Sequence, residues 1–332
     1  MTASSPSEIA VIVVNYGTAD LAIEAVGSVR ARNHGGRRVD LHLVDNASPG
    51  GKDAAAFQRA ARDLGWGADV TLHLESENHG FGRGNNLVLQ DLAARPAPPT
   101  YVFLLNPDAR LENEALDILA AHLDAHPKAA FAGAGIDKPG TGAVTAAFRF
   151  PRPVGEFTRA LAFGPVTRLA PNLVVPLPPD HPQGPVGWVA GAAVLIRFEA
   201  LKALEFFDPE YFLYYEEVDL MHRAARAGWE TWFVPQARVI HAEGAATNVR
   251  SGVRNRPRKP AYWYRSWRKY FTDTYGPVGV RIAALCWVMG AVGNLLLSLI
   301  PGRGASVPNR FFGDFWAVVL RPLLGLREGS YG

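Results

Sequence analysis

The strongest constraint on the fold is a regular alternation of short β-rich runs with helical patterns over the first third of the chain. IAVIVVN (Ile9 to Asn15) is apolar almost throughout, so it has no face to give to water and belongs in a sheet covered on both sides. VDLHLVD (Val39 to Asp45), VTLHLE (Val70 to Glu75) and YVFLL (Tyr101 to Leu105) read as further strands. Helical stretches fall between them at about 19–31, 54–64 and 84–94, the last entered through a glycine-rich turn. This order predicts an α/β fold with parallel strands and helices on both faces. Ligands of such sheets bind beyond the carboxyl ends of the strands. Those ends carry Asn15, Asp45, Asn78 and Asp108.

With 332 residues and 48% hydrophobic content, the chain has ample material for a core, and 20% charged residues is too few for wholesale disorder. From about 150 to 185 the texture turns proline-rich and aperiodic, an excursion within one domain. VGWVAGAAVLIR (Val186 to Arg197) then reads as a strand whose glycines permit close approach. EEVDLMHRAARAG (Glu216 to Gly228) reads as a helix with Val218, Met221 and Ala225 on its apolar side and Gly228 as its stop. ETWFVP is a further short strand.

Several motifs carry chemistry, each beside a plainer structural account. Asp108, in NPD directly after a buried strand, suits a Mg2+ or Mn2+ shared with diphosphate oxygens, or simply caps the helix that follows. Asp45, in LVDNAS, can accept hydrogen bonds from a ribose or a base, or close an Asx-turn. ENHGFGRGNN lets backbone amides approach a ligand at a helix start and offers Arg83 as a cation. It departs from the dinucleotide G-x-G-x-x-G spacing, because position 85 is Asn. In YFLYYEEVDL, Glu216 and Glu217 open a helix, where the helix dipole favours acids. They also follow four aromatics, including Tyr214 and Tyr215, an arrangement that suits a sugar platform beside a general base. Asp219 points elsewhere and braces the helix. His241, after an apolar run, reads by itself as a structural histidine.

Taken in order, VIVVNYGT, LVDNAS, NHGFGRGNN, FLLNPDARL, WVAGAAVLIR, FDPEYFLYYEEVDL and VPQARVIH resemble the inverting glycosyltransferases of family 2, with the GT-A fold, from about Ile9 to His241. Within that family the chain looks most like the bacterial rhamnosyltransferase branch. The resemblance implies a Rossmann-like mixed sheet forming a catalytic domain over 1–248. Its nucleotide-sugar half covers about 9–110 and its acceptor half about 111–248. It implies that Asn15, Tyr16 and Asp45 hold the nucleoside, with Asp45 on the base. Asn78, Gly82 and Asn86 line the donor pocket, with Arg83 nearby. Asp108 matches the last acid of the metal-binding D-x-D element, whose first position here is Asn106. His241 completes the metal or diphosphate site. Glu217 matches the second acid of the family's acidic pair and is the expected base, with Glu216 as the alternative. Trp188 meets the acceptor and Gly191 the donor sugar. The donor implied is dTDP-L-rhamnose, with UDP- or GDP-sugars as the alternative, and the acceptor is a glycan or a polyprenyl-diphosphate-linked sugar of cell-envelope polysaccharide.

The remaining 249–332 is a basic, then apolar, helical region. Arg250, Arg254, Arg256, Arg258, Lys259, Arg265, Arg268 and Lys269 come without an intervening acid, interleaved with Trp263, Tyr264, Trp267 and Tyr270. About nineteen mostly apolar residues follow, from Ile282 to Ile300, just long enough to span a bilayer. Gly290, Gly293 and Asn294 dilute their hydrophobicity. A helix resting on the inner face of the cell membrane is the expected arrangement. Alternatives are a true span and a helix buried in the fold or in a homo-oligomer. The basic run adjoins an apolar helix rather than a groove-reading module, so no nucleic acid is expected. The lone Cys286 permits no disulfide framework, and the first residues show no basic, cleavable leader. Both point to a cytoplasmic catalytic body. A sugar nucleotidyltransferase would place its glycine-rich, arginine-bearing loop after the first strand, where NYGTAD stands instead. A membrane-bound scaffold with a vestigial nucleotide pocket is the non-enzymatic alternative, opposed by the retention of Asp108 and Glu217.

Overall fold

The computed structural model describes residues 8–67, 69–242 and 257–331. Arg250, Arg254 and Arg256 of the basic run lie outside the described residues.

The strands are β1 (Ile9–Asn15), β2 (Val39–Asp45), β3 (Val70–Leu74), β4 (Tyr101–Leu105), β5 (Ala109–Leu111), β6 (Ala129–Lys138), β7 (Gly142–Val144), β8 (Ala147–Phe148), β9 (Gly184–Val186), β10 (Trp188–Val189), β11 (Ala193–Arg197) and β12 (Glu230–His241). Ten of them form one mixed sheet whose main path runs β3-β2-β1-β4-β11-β6-β12-β5. β1, β2, β3 and β4 are parallel, as the alternation predicts. β11 then enters antiparallel between β4 and β6, which makes the sheet mixed. β8 and β10 form a separate two-stranded ribbon.

The apolar run of β1 is buried at every position. Ile9, Val11 and Val13 face a core completed by α1 (Ala19–Arg30), Phe57 of α2 (Lys52–Asp63) and α4 (Ala115–Ala125). Strand side chains alternate in direction, so Ala10, Ile12 and Val14 face the opposite side. There α3 (Gly80–Ala93) packs, and Gly84 brings it within van der Waals reach of Val14.

Four sequence expectations change. The glycine-rich turn is already the first turn of α3, which begins at Gly80 rather than near Gly84. The strand expected over Val186 to Arg197 breaks into β10 and β11, with Gly191 in the gap. The short strand at ETWFVP continues to His241, with a bulge between Val234 and Arg238. In α8 (Glu216–Arg226) the buried face is Val218, Leu220, Met221 and Ala224, while Ala225 is exposed.

The chain forms two compact units. The first holds the large sheet, α1 to α4, α7 (Phe198–Ala203) and α8; the second comprises Arg149–Pro176, Leu213–Tyr215 and the C-terminal helices. Most of the proline-rich excursion, through Pro176, is therefore grouped with the C-terminal region, and the rest, from Leu177, with the first unit. In the second unit α5 (Gly155–Leu161) and α6 (Gly164–Leu169) precede the long α9 (Ala261–Leu297). Gly276 takes φ 70 and ψ −177, and Pro277 follows, so α9 is two helical segments about a break. The second segment packs on α5 through the small residues that dilute its hydrophobicity. A Cβ on Gly290 would stand 2.5 Å from the Phe157 carbonyl oxygen, and one on Gly293 would stand 2.7 Å from Leu161. Asn294 donates to the Leu161 carbonyl at 3.0 Å. Its opposite face leaves Val278, Ile282, Leu285, Met289, Val292 and Leu296 exposed, spaced by three and four residues. α10 (Phe311–Phe315) and a π-helical turn (Trp316–Leu320) close an aromatic cluster with Tyr264, Trp267 and Trp287.

Candidate active site

The first half of the site is built at the ends of β1 and β2. Asn15, fully buried, donates to Asp53 at 2.8 Å and accepts from the Thr18 hydroxyl at 2.8 Å. Ser48 donates to Asp45 Oδ1 at 2.5 Å and its backbone N–H reaches the same oxygen at 3.3 Å. Asp45 thus accepts from the residue three positions on, within the loop that follows β2. Its second carboxylate oxygen makes no hydrogen bond to a described residue. Tyr16, the next residue after β1, is exposed.

Sequence reasoning overlooked Asn46, which joins the two loops. Its amide nitrogen donates to Asn78 Oδ1 at 3.2 Å and the Gly80 carbonyl at 3.0 Å, while its oxygen accepts from His79 N–H at 3.0 Å. Ser48 and Asp53 were overlooked as well. The usable signal for Asn46 and Ser48 was position, directly after a strand end beside Asp45. Asn78 in turn accepts from Gly80 N–H at 2.9 Å. Gly80 has φ +74, and a Cβ there would meet the Phe212 oxygen at 1.8 Å. Arg83 is exposed and bonded to His79 at 3.1 Å. Asn86, expected in the donor pocket, is held by Phe207: its amide donates to the Phe207 carbonyl at 2.8 Å and accepts from Phe207 N–H at 3.1 Å.

The second half gathers Asn106, Asp108 and His241. The antiparallel register of β5 and β12 sets His241 opposite Ala109, and the Ala242 N–H donates to the Asp108 carbonyl at 2.9 Å. His241 Nε2 then lies 2.9 Å from Asp108 Oδ1 and 3.4 Å from the Asn106 amide. A carboxylate and an imidazole nitrogen are both metal-ligand types. Two neighbouring ligand atoms about 2.1 Å from an octahedral cation sit about 3 Å apart, so this pair fits a divalent metal that keeps other positions for phosphate and water. No cluster of three or more such side chains occurs among the described residues. The fit therefore depends on ligand oxygens from outside the chain.

The two acids of α8 separate in their surroundings. Glu216 is buried against α3, its Cβ 3.5 Å from where a Gly82 Cβ would stand. Glu217 faces the gap between β10 and β11, with its Cβ and Cγ 3.6 and 3.7 Å from a Cβ on Gly191. One oxygen of each carboxyl is buried without a hydrogen-bond partner among the described residues. Burial raises the pKa of both; the charge of Glu217 pushes Glu216 further, to well above the usual carboxylate range. Backbone N–H groups at Glu217 and Val218 work against the rise at Glu217. Asp219 braces the helix as expected, bonded to Arg223 at 2.8 Å.

Asn106 links the halves: its backbone N–H donates to the Ala192 carbonyl at 2.9 Å, one residue from Gly191. Trp188 stacks on Phe148 with ring centroids 4.0 Å apart, fixing its plane. Tyr214 and Tyr215, both at φ 70, belong to the second unit, where Tyr214 stacks with Tyr262 and Tyr215 packs on Trp263 and Tyr270. Two consecutive non-glycine residues in the left-handed region are strained, and such strain concentrates at functional sites.

Comparison with known proteins agrees with this architecture. The glycosyltransferase-like family 2 pattern matches residues 6–259. The N-acetylglucosaminyl-diphospho-decaprenol L-rhamnosyltransferase of Mycobacterium tuberculosis H37Rv is 30% identical over 221 residues, covering 64% of this chain and 69% of that protein. The rhamnosyltransferase WbbL of Escherichia coli K12 is 26% identical over 167 residues, covering 49% and 61%. The fold is shared with the mannosyltransferase PcManGT from Pyrobaculum calidifontis, solved with GDP-Man and Mn2+, at TM-score 0.53 and 15% identity over 90% of this chain and 77% of that one. It is also shared with GalNAc-T7, solved with UDP, GalNAc and Mn2+, at TM-score 0.56 and 13% identity over 92% and 59%. The chain belongs to the glycosyltransferase-like family 2, in its rhamnosyltransferase branch.

Proposed function

We propose that the protein transfers L-rhamnose from a nucleoside-diphosphate donor, dTDP-L-rhamnose, to a sugar hydroxyl on a polyprenyl-diphosphate-linked acceptor, with inversion, in cell-envelope glycan synthesis. The observation that supports the reading is the hydrogen bond from Asn106, beside the Asp108–His241 pair, to Ala192, beside Gly191 and its neighbour Glu217. Asp45 and the loop held by Asn46 receive the nucleoside. Asp108 and His241 would hold a divalent cation, which stabilises the negative charge of the departing diphosphate when bound. Glu217, ionised while Glu216 keeps the proton, takes the proton of the acceptor hydroxyl as its oxygen attacks the anomeric carbon. The C–O bond to the acceptor forms as the bond to the diphosphate breaks on the opposite face, which inverts the configuration.

The similarity to a decaprenol-linked rhamnosyltransferase supports a lipid-linked acceptor. The exposed apolar stripe of α9 supports a place on the cytoplasmic membrane face, with the helix lying on the bilayer because its other side is covered by α5. Purified protein offered dTDP-rhamnose, UDP-galactose, UDP-GlcNAc and GDP-mannose with lipid-linked acceptors, and read by mass spectrometry of the product, tests the function. A deoxyhexose increment from dTDP-rhamnose alone is the expected result; transfer only from another donor overturns the rhamnose assignment.

A further inference from the structure

The second unit contains a cavity of about 80 Å³ that plays no part in the transfer chemistry above. Arg159, Lys259, Trp287, Ala291 and Ser306 line it. Both cations are set on aromatic faces. The Arg159 guanidinium lies 4.3 Å from the Trp287 ring centroid, and Lys259 Nζ lies 4.0 Å from that of Trp263. Arg159 is further fixed by the buried Glu156, which also accepts from the Trp267 indole at 3.0 Å. An arginine held on an aromatic face and anchored by a carboxylate keeps N–H groups in a preset direction, the arrangement that suits phosphate oxygens. Glu156 offsets the charge of Arg159, and Lys259 brings a second cation to the same space. Ser306 supplies a hydroxyl at the wall, and its segment is tied down by its own N–H, which donates to Asn294 at 2.7 Å.

The setting of the cavity narrows the ligand. Trp287 and Ala291 belong to α9, whose neighbouring residues Val292, Leu295 and Leu296 are exposed. Of the exposed large apolar side chains among the described residues, only Tyr16, Leu64, Leu74 and Phe212 belong to the first unit. An anion-suited cavity beside an apolar face matches an amphipathic anion, charged at the head and apolar behind it.

We propose that this cavity binds a phosphate group, presented either as the headgroup of a lipid or as a free phosphate or diphosphate. It is a site separate from the one that holds the donor diphosphate, and it stands on the geometry of the second unit whether or not rhamnose is the sugar transferred.

The test uses the full chain and the variant Lys259→Gln, with Lys202→Gln as a control that removes a cation from the first unit. Arg159 is left in place because its loss would strand the buried Glu156. Binding is measured to vesicles of phosphatidylcholine, with and without phosphatidylglycerol or a polyprenyl diphosphate, and separately to inorganic pyrophosphate through tryptophan fluorescence. Lys259→Gln is expected to weaken the anionic-vesicle or pyrophosphate interaction about five- to tenfold, while Lys202→Gln leaves it unchanged. Dependence seen with vesicles alone identifies a lipid headgroup as the source; dependence seen with pyrophosphate identifies a free one. Equal binding by Lys259→Gln and the parent in both arms overturns the proposal. Turnover on a short water-soluble acceptor is measured alongside. Retained turnover in Lys259→Gln separates failure of this site from failure of the transferase reading.

Discussion

His241 Nε2 stands 2.9 Å from Asp108 Oδ1, although 133 residues separate them in the chain. The β5–β12 register makes the pair, and the pair supplies the only protein ligands proposed for the cation. Asp108→Ala is expected to cut kcat by at least about 10²-fold, because charge on the leaving group then develops without its counterweight. His241→Ala is expected to raise the metal concentration for half-maximal activity at least tenfold, as loss even of outer-sphere partners costs about 10- to 100-fold in metal affinity. Metal titrations of chelator-stripped protein measure both.

The division of labour between the two glutamates is open to a pH experiment. The raised pKa of Glu217 means that its active, ionised form is lost on acidification earlier than for an ordinary carboxylate. kcat/KM should therefore rise with pH along an acid limb displaced upward from the usual carboxylate range. Glu217→Gln should lose at least about 10²-fold in kcat and show no such limb. Glu216→Gln should retain the limb and most of the turnover. The reverse pattern would transfer the base to Glu216.

Glycines on the two sides of the site should respond differently to a methyl group. Gly80→Ala forces a Cβ onto the Phe212 carbonyl at positive φ, and a loss of at least about 2 kcal/mol in chemical denaturation is expected. At Gly191 the nearest atoms to a new Cβ are 3.6 to 3.8 Å away, in ordinary contact, and belong to Glu217 and Phe81. Gly191→Ala should keep its melting temperature and raise KM.

His42 gives the sheet a pH-dependent stability. Burial and the neighbouring His73, 3.1 Å away, hold its pKa down at about 4. Between that value and the ordinary histidine range the unfolded chain binds a proton that the folded chain does not. Stability contributed by the neutral ring is complete above about pH 6.5 and is lost as pH falls toward 4, by up to about 3 kcal/mol. The melting temperature should drop between about pH 7 and pH 5, and His42→Leu should flatten that drop. An unchanged slope in the variant would assign the acid sensitivity to other groups.

The stripe on α9 predicts where the protein resides. Ile282→Glu with Met289→Glu puts two charges on the exposed face without touching the α5 contact. Vesicle binding should fall at least about tenfold, with turnover on a soluble acceptor preserved. Undiminished vesicle binding would assign the membrane contact to another surface.

Much of the fold was legible because the signals are local. β1, β2 and β4 end at the residues where their apolar runs end, since burial on both faces is written position by position into each strand. The start of α3 was misplaced by about a turn. Glycine runs ordinarily mark loops, and here the helix begins early because Asn46 and the Phe212 backbone hold its first residues. Asn86 shows the converse. Its amide bonds Phe207, 121 residues away, a contact that no neighbouring residue records.

By itself the amino-acid order determined the strand–helix alternation, the acids and amides at the strand ends, and the apolar character of the C-terminal helix. Each depends on preferences expressed within a few neighbouring residues. Only the tertiary structure decided that His241 meets Asp108, that Glu217 rather than Glu216 faces Gly191, and that Tyr214 and Tyr215 pack with the C-terminal unit. Those outcomes follow from strand register and helix rotation, where a shift of one residue turns a side chain to the other face, and residues adjacent in sequence carry no record of that choice.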